Sequence, residues 1–256
     1  MKSFSALLRK ELTEQLRSGK LTVLGILFVL FGIMNPAIAK LTPWLLEMMA
    51  DSLKESGMTV TAVTVSAMDS WVQFYKNIPM ALIAFLLMES EILTKEYRTG
   101  TLILSLTKGL SRTAVVLSKA FLLSLLWTLG YWGCFGITYA YNAYFWDNAV
   151  AQNLVFSAVA FWLFGMFTVA LVLFFSVTAR ASSSVLIGTG GVVLLSYLVA
   201  LFPKATRYLP TALTNGSALL YGSESPAAYT AALIITASAS LCLLAFSIPL
   251  FRKKQL

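Results

Sequence analysis

Histidine is missing altogether, and only 12% of the 256 residues are charged. Without an imidazole, most zinc, haem and histidine-base chemistries lose their usual ligand or proton carrier. Ordinary globular chains carry about 25% charged residues, so half that fraction leaves most of the surface facing something other than water. The two cysteines, Cys134 and Cys242, both fall in apolar runs. They read as small buried hydrophobes and not as a disulfide framework. A phosphate-binding Walker A loop is also lacking: the glycines of "GTGG" at 188–191 are not followed by the lysine that reaches a nucleotide's phosphates. Close helix packing is the simpler use for them.

Further absences narrow the class. A serine-type intramembrane protease would want a histidine base. Glu89 and Glu91 are split by Ser90, so they do not make the adjacent acidic pair of a glutamate-type one. Ion-coupled carriers usually keep acidic residues at mid-bilayer, and the cores of spans one and three to six contain none. The chain is therefore expected not to be an enzyme, and to bind no metal and no cofactor of its own.

What remains is hydrophobic: 58% of residues, with a mean hydropathy of +0.79. In lipid, backbone polar groups must be satisfied inside helices or a closed barrel. The apolar runs are long and lack period-2 alternation, which selects helices. About 20 mostly apolar residues make a span, and six stretches qualify, at about 21–39, 71–93, 113–141, 154–178, 185–202 and 227–251. The fold class is thus an all-α integral membrane protein, a single unit over 1–256. The basic lead before the first span contains Glu11 and Glu14, so that span is read as retained and not as a cleaved signal.

An even number of spans puts both termini on one side. Fourteen basic residues gather with the termini, the 89–119 loop and Arg180, against five on the other side. The positive-inside bias makes the richer side cytoplasmic. The net charge of +8 is then a topology signal, and no nucleic-acid partner is inferred from it. Phe4, Leu7, Leu8, Leu12 and Leu16 recur at helical spacing, with Arg9, Lys10, Glu14 and Arg17 elsewhere around the wheel. That pattern predicts an amphipathic elbow helix on the inner face. Leu45, Leu46, Met49 and Leu53, set against Glu47, Asp51, Lys54 and Glu55, predict a second one over 43–57 outside. Pro203, Pro210, Gly216 and Gly222 mark a broken outer segment before span six.

The stretch "ESEILTKEYRTGTLILSLTKGLSR" (89–112) concentrates the scarce charge between spans two and three. Gly100 breaks the helical pattern, Thr99 or Thr101 can cap a new helix, and "TLILSL" then makes a helix too short to cross. A short apolar helix flanked by charge is a handle for a soluble partner. The segment "KEYRTGTLILSLTKGLSRTAVVLSKAF" resembles the signature of ABC-2-type transporter permeases. Glu96, Gly100, Thr101, the apolar Leu102 to Leu106, Ser111, Arg112 and Lys119 carry the resemblance, while Lys108 and Gly109 stand where members often have proline.

The resemblance implies a membrane subunit of an ATP-driven exporter in a bacterial plasma membrane. It would work as a dimer with a second permease copy, each half docked on a separate cytoplasmic ABC ATPase that binds the ATP and magnesium. It further implies that Glu91, Glu96, Arg98, Gly100, Thr101, Leu102 and Leu104 form the ATPase-coupling segment. Arg112 and Lys119 would anchor it at lipid headgroups or on the ATPase. On this reading, reversing Glu96 or Arg98 should hurt export more than folding. Met48, Met49, Phe74, Tyr75, Trp127, Tyr131, Trp132, Tyr139, Tyr141, Tyr144, Phe145 and Trp146 make an aromatic, Met-rich outer half. It is an interfacial belt or an exit path for amphipathic peptides, lipids or drugs, with antimicrobial or cytolytic peptides ranked first. The competing class is a non-transporting six-span scaffold or sensor.

Overall fold

The computed structural model describes residues 2–49, 64–107 and 109–254. Helix α1 (Lys2–Arg17) leads through Gly19, in the left-handed conformation at φ 72°, into α2 (Lys20–Met48). Next come α3 (Ala67–Glu89), the short helices α4 (Thr94–Thr99) and α5 (Thr101–Thr107), then α6 (Arg112–Phe145) and α7 (Leu154–Thr178). The chain closes with α8 (Ser182–Val199), the short α9 (Pro203–Thr206) and α10 (Gly216–Leu220), and α11 (Thr230–Lys253). Six of these, α2, α3, α6, α7, α8 and α11, are long and apolar enough to cross a membrane. Among the described residues there is no strand.

The first span is longer than its hydropathy alone predicts. Helix α2 continues past Ala39 to Met48, through Pro36 and Pro43. A proline inside a helix removes one amide donor and frees the carbonyl four residues back. For Pro36 that carbonyl belongs to Gly32, and the Thr138 hydroxyl of α6 donates to it at 3.0 Å. The relay runs on: Asn35 Nδ2 donates to Thr138 Oγ1 at 3.2 Å, and Asn77 Nδ2 of α3 donates to Asn35 Oδ1 at 2.9 Å. All three side chains are buried. The kink is thus satisfied by neighbouring spans, and three helices are pinned at one level, which is how lipid-embedded helices tolerate proline. Leu45 and Leu46, expected on a separate outer helix, belong to α2 instead, while Leu53 and the rest of that expected helix lie outside the described residues.

Helix α7 is the central post, with α6, α8 and α11 around it. Its Gly165 lets the indole of Trp127 lie directly against the backbone, where a Cβ would overlap the ring. Trp127 Nε1 donates to Trp162 O at 3.1 Å. Around it Trp71, Phe74, Phe85, Tyr131 and Phe161 are buried. Their polar ends are satisfied, as buried Tyr and Trp require: Tyr131 Oη donates to Ala158 O at 2.8 Å, and Trp71 Nε1 to Asn148 Oδ1 at 2.9 Å. The aromatic outer half predicted from sequence therefore divides. Phe74, Tyr75, Trp127 and Tyr131 are core, whereas Met48, Tyr139, Tyr141 and Tyr144 form an exposed rim. The cysteines divide too, since Cys134 is buried and Cys242 lies on the exposed face of α11.

Overpacking a well-filled core costs about 1–3 kcal/mol. Gly165→Ala is therefore expected to lower the midpoint of thermal unfolding in detergent. Gly191→Ala, which meets nothing within 4 Å, should leave it unchanged. Equal midpoints for the two variants would contradict the packing described.

Candidate functional site

One end of the bundle collects α1, the described residues of the 89–119 segment, the α7–α8 turn and the end of α11. Its organising feature is a buried group of charges. Lys119 of α6 is 1% exposed, and its Nζ lies 3.0 Å from Glu11 Oε2 and 3.3 Å from Glu96 Oε2. Lys10 Nζ sits 2.9 Å from Glu96 Oε1 and 3.6 Å from Glu11 Oε1. The four side chains close a ring of two cations and two anions linking α1, α4 and α6. Lys95 pairs with Glu14 at 2.8 Å on the more exposed flank. Below the ring, Gln15 Nε2 donates to Glu89 Oε2 at 2.8 Å, and Lys20 Nζ donates to Met88 O at 2.8 Å.

The N-terminal helix turns an unexpected face inward. Leu7, Glu11 and Gln15, spaced four apart, are its buried stripe, and Leu16 is exposed. The leucines at 8, 12 and 16 mark the apolar side of α1, but the chain's own polar residues decide what it binds. Lys119 needs a counter-charge at the end of an apolar span, and α1 brings it. Burial works against the charged form of Lys10, yet the hydrogen bond to Glu96 and the charges of Glu96, Glu11 and Glu14 raise its pKa above the ordinary lysine value. The hydrogen bond from Lys95 outweighs burial at Glu14 and holds its carboxyl below the ordinary value. The Glu11, Glu14 and Glu96 carboxylates also approach within 4.8 Å of one another. Each already has a lysine partner, so the cluster reads as an ion-pair network.

The residues expected to couple to a partner fall into two groups. Inward are Glu96, Lys119 and Leu102, all buried. Outward are Arg98, with 71% of its side chain exposed and 3.8 Å from a half-exposed Glu91, and Thr101. Gly100 separates α4 from α5 in the left-handed conformation, at φ 68°. A residue with a Cβ pays for that backbone shape, which explains why the break carries glycine. Helix α5 is anchored by Leu102 and shows Ile103 to the outside, whereas the side chain of Leu104 lies outside the described residues. Arg112 does not reach outward. Its Nη1 donates to the carbonyls of Phe251, Arg252 and Lys254 at 2.6–3.1 Å, capping the end of α11. Lys254 Nζ in turn donates to Val177, Thr178 and Ala179 carbonyls at the end of α7 and lies over the Tyr97 ring.

Sequence reasoning missed Lys10, Glu11, Gln15 and Lys254 as partners. The signal for them was a lysine inside an apolar stretch, which has to find a carboxylate somewhere. Burial also changes what reversing Glu96 would do: Glu96→Lys would leave three ammonium groups together, so folding is lost along with any coupling. Breaking a buried pair costs about 3–5 kcal/mol, and an exposed pair is worth about 1 kcal/mol or less. Lys119→Met should therefore markedly lower thermal stability in detergent, and Lys95→Ala only slightly. Adding Glu11→Gln to Lys119→Met should recover part of the loss, and a double variant no better than the single would exclude the ring. Because Glu14 is held below its unfolded pKa, its contribution is present above the ordinary carboxylate range and fades as pH falls through the folded value. Protection of the α1 amides, measured relative to intrinsic exchange at each pH, should thus fall in acid.

Comparison with known proteins agrees with the geometry. Residues 5–256 match the family described as ABC-2 family transporter protein. A relative, the uncharacterized transmembrane protein YxlG of Bacillus subtilis (strain 168), is 26% identical over 240 residues, covering 88% of each chain. With six membrane-crossing helices and a family match over almost its whole length, the chain belongs to the ABC-2 transporter family, as a multi-pass membrane permease subunit.

Proposed function

We propose that the chain is the membrane half of an ATP-driven exporter and that α4 and α5 receive the push of a separate cytoplasmic ATPase. The single observation that carries this reading is the two-sidedness of the 91–107 segment. Its inward residues, Glu96 and Leu102, are locked to α1 and α6, while Arg98 and Ile103 are presented outward. A handle for force needs such a rigid root and an accessible tip. The ATP and magnesium belong to the ATPase, and the charge-rich end of the bundle, with both termini, is cytoplasmic by the positive-inside rule.

Cargo is amphipathic or hydrophobic, with antimicrobial or cytolytic peptides first. The buried aromatic cluster fills the space between α3, α6 and α7, which disfavours a route inside one copy. The least covered spans, α8 and α11, expose Ile187, Leu194, Leu195, Ile234 and Leu241. A path between two copies would be lined by such faces, suited to a greasy substrate.

Purification of the tagged chain from native membranes in mild detergent tests the partner. An ATPase subunit should co-purify in equal amount. Arg98→Glu combined with Ile103→Asp should cut its ATP hydrolysis by about tenfold or more, the scale of a few kcal/mol lost at a charged contact, without lowering the permease's own thermal midpoint. Recovery of the chain alone, under conditions that keep other membrane complexes whole, would reject the exporter and favour the six-span scaffold.

A further inference from the structure

Beside the coupling segment, at the same end of the bundle, lies a cavity of 680 Å³ that the ion-pair ring does not use. Tyr97, Arg98, Leu102 and Ile103 line it from the 94–107 segment, Arg180 and Ser183 from the α7–α8 turn and the start of α8, and Lys254 from the end of α11. Its charge is one-sided. The Glu96 carboxylate at its edge is already engaged by Lys10 and Lys119. Arg180 is exposed and has no ion-pair partner among the described residues, and Arg98 has only a long contact with Glu91. Lys254 spends its N–H groups on the α7 carbonyls and contributes charge alone. Arg180 and Lys254 both line the cleft, and burial first, then the nearby charge of Arg180, hold Lys254 below the ordinary lysine pKa.

The backbone adds donors. Helix α8 starts at Ser182, its N-cap is Ala181, and no side chain caps it. First-turn amides and the helix dipole favour an anion at such an end. The depth fits too, because the cleft sits where α7 and α11 end and α8 begins, at the level of lipid headgroups. Leu102 and Tyr97 supply an apolar side against which an acyl chain can start. An acidic protein side chain would match the charge but not this position beside the hydrocarbon boundary.

We propose that this cleft is a binding site for the phosphate of an anionic phospholipid headgroup, held by the Arg98 and Arg180 guanidinium groups and the first turn of α8. The cleft shares Arg98 and Ile103 with the proposed ATPase contact, but lipid binding needs the six-span fold and not the exporter reading, and Arg180 separates the two in the test.

The test is native mass spectrometry of the full-length protein purified with whatever subunits accompany it, after exchange into mixed micelles of phosphatidylglycerol and phosphatidylcholine. Phosphatidylglycerol should be retained at least about fivefold over phosphatidylcholine. Arg180→Ser should abolish that preference without shifting the thermal midpoint, since Arg180 supports no contact within the described residues. Arg98→Ser should reduce it. Lys40→Ser, a basic residue at the other end of the bundle, should leave it intact. Equal retention of both lipids, or full preference in Arg180→Ser, would overturn the proposal. Displacement of phosphatidylglycerol by millimolar inorganic phosphate would assign the cleft to free phosphate and overturn the lipid source. Loss of an ATPase subunit from Arg180→Ser with lipid preference unchanged would make the cleft a protein contact instead.

Discussion

A lysine ammonium in a place with almost no water sets the terms for one end of this molecule. Lys119 stands near the start of α6, 1% exposed, and its charge is tolerable only because two carboxylates meet it. One, Glu11, comes from α1 and the other, Glu96, from α4, more than 80 residues further along the chain. The cost of an unpaired charge therefore does the work of a geometric constraint. It fixes where the N-terminal helix lies, where the segment between the second and third spans turns, and how both face the rest of the bundle.

The rest of the bundle is held by different means. Hydrophobic burial cannot drive helices together in lipid as it does in water, so packing, small residues and interhelical hydrogen bonds carry the load. Gly165 against Trp127, Gly130 against Phe28 and the relay from Asn77 through Asn35 and Thr138 to Gly32 are of this kind. They hold the centre of the bundle, and the ion pairs hold one end. By contrast α8 and α2 keep broad apolar faces uncovered, so the single chain is rigid at its middle and unfinished at its sides.

Much of this was legible in the sequence, for reasons that can be named. Apolar runs of span length leave few alternatives, and α7 at 154–178 falls where hydropathy puts it because nothing at its ends competes. The break at Gly100 was visible because a single residue type resolves it. Other features were hidden because they depend on contacts across the chain. How Pro36 is tolerated inside the first span does not show until the hydroxyl of Thr138, a hundred residues on, takes up the freed Gly32 carbonyl. Nothing near Glu11 or Gln15 in the sequence says that Lys119 and Glu89, far along the chain, claim them. The aromatic residues at 74, 75, 127 and 131 sit at helical spacing that suits a membrane rim and a core equally well. Gly165 against Trp127 and Gly216 against Tyr75 show two of them seated in the core.

The cap that Arg112 places on the last helix sets an order of events in synthesis. The guanidinium enters the membrane boundary at the start of α6, but the carbonyls that receive it are made some 140 residues later. At ordinary elongation rates of about 5–20 residues per second, that is on the order of ten seconds or more. Through that interval the third span is inserted while its basic end still lacks these acceptors. This end of the bundle closes only after the last turn of α11 has been made. The charged start of the third span thus stays open to water or headgroups until the last span has been made.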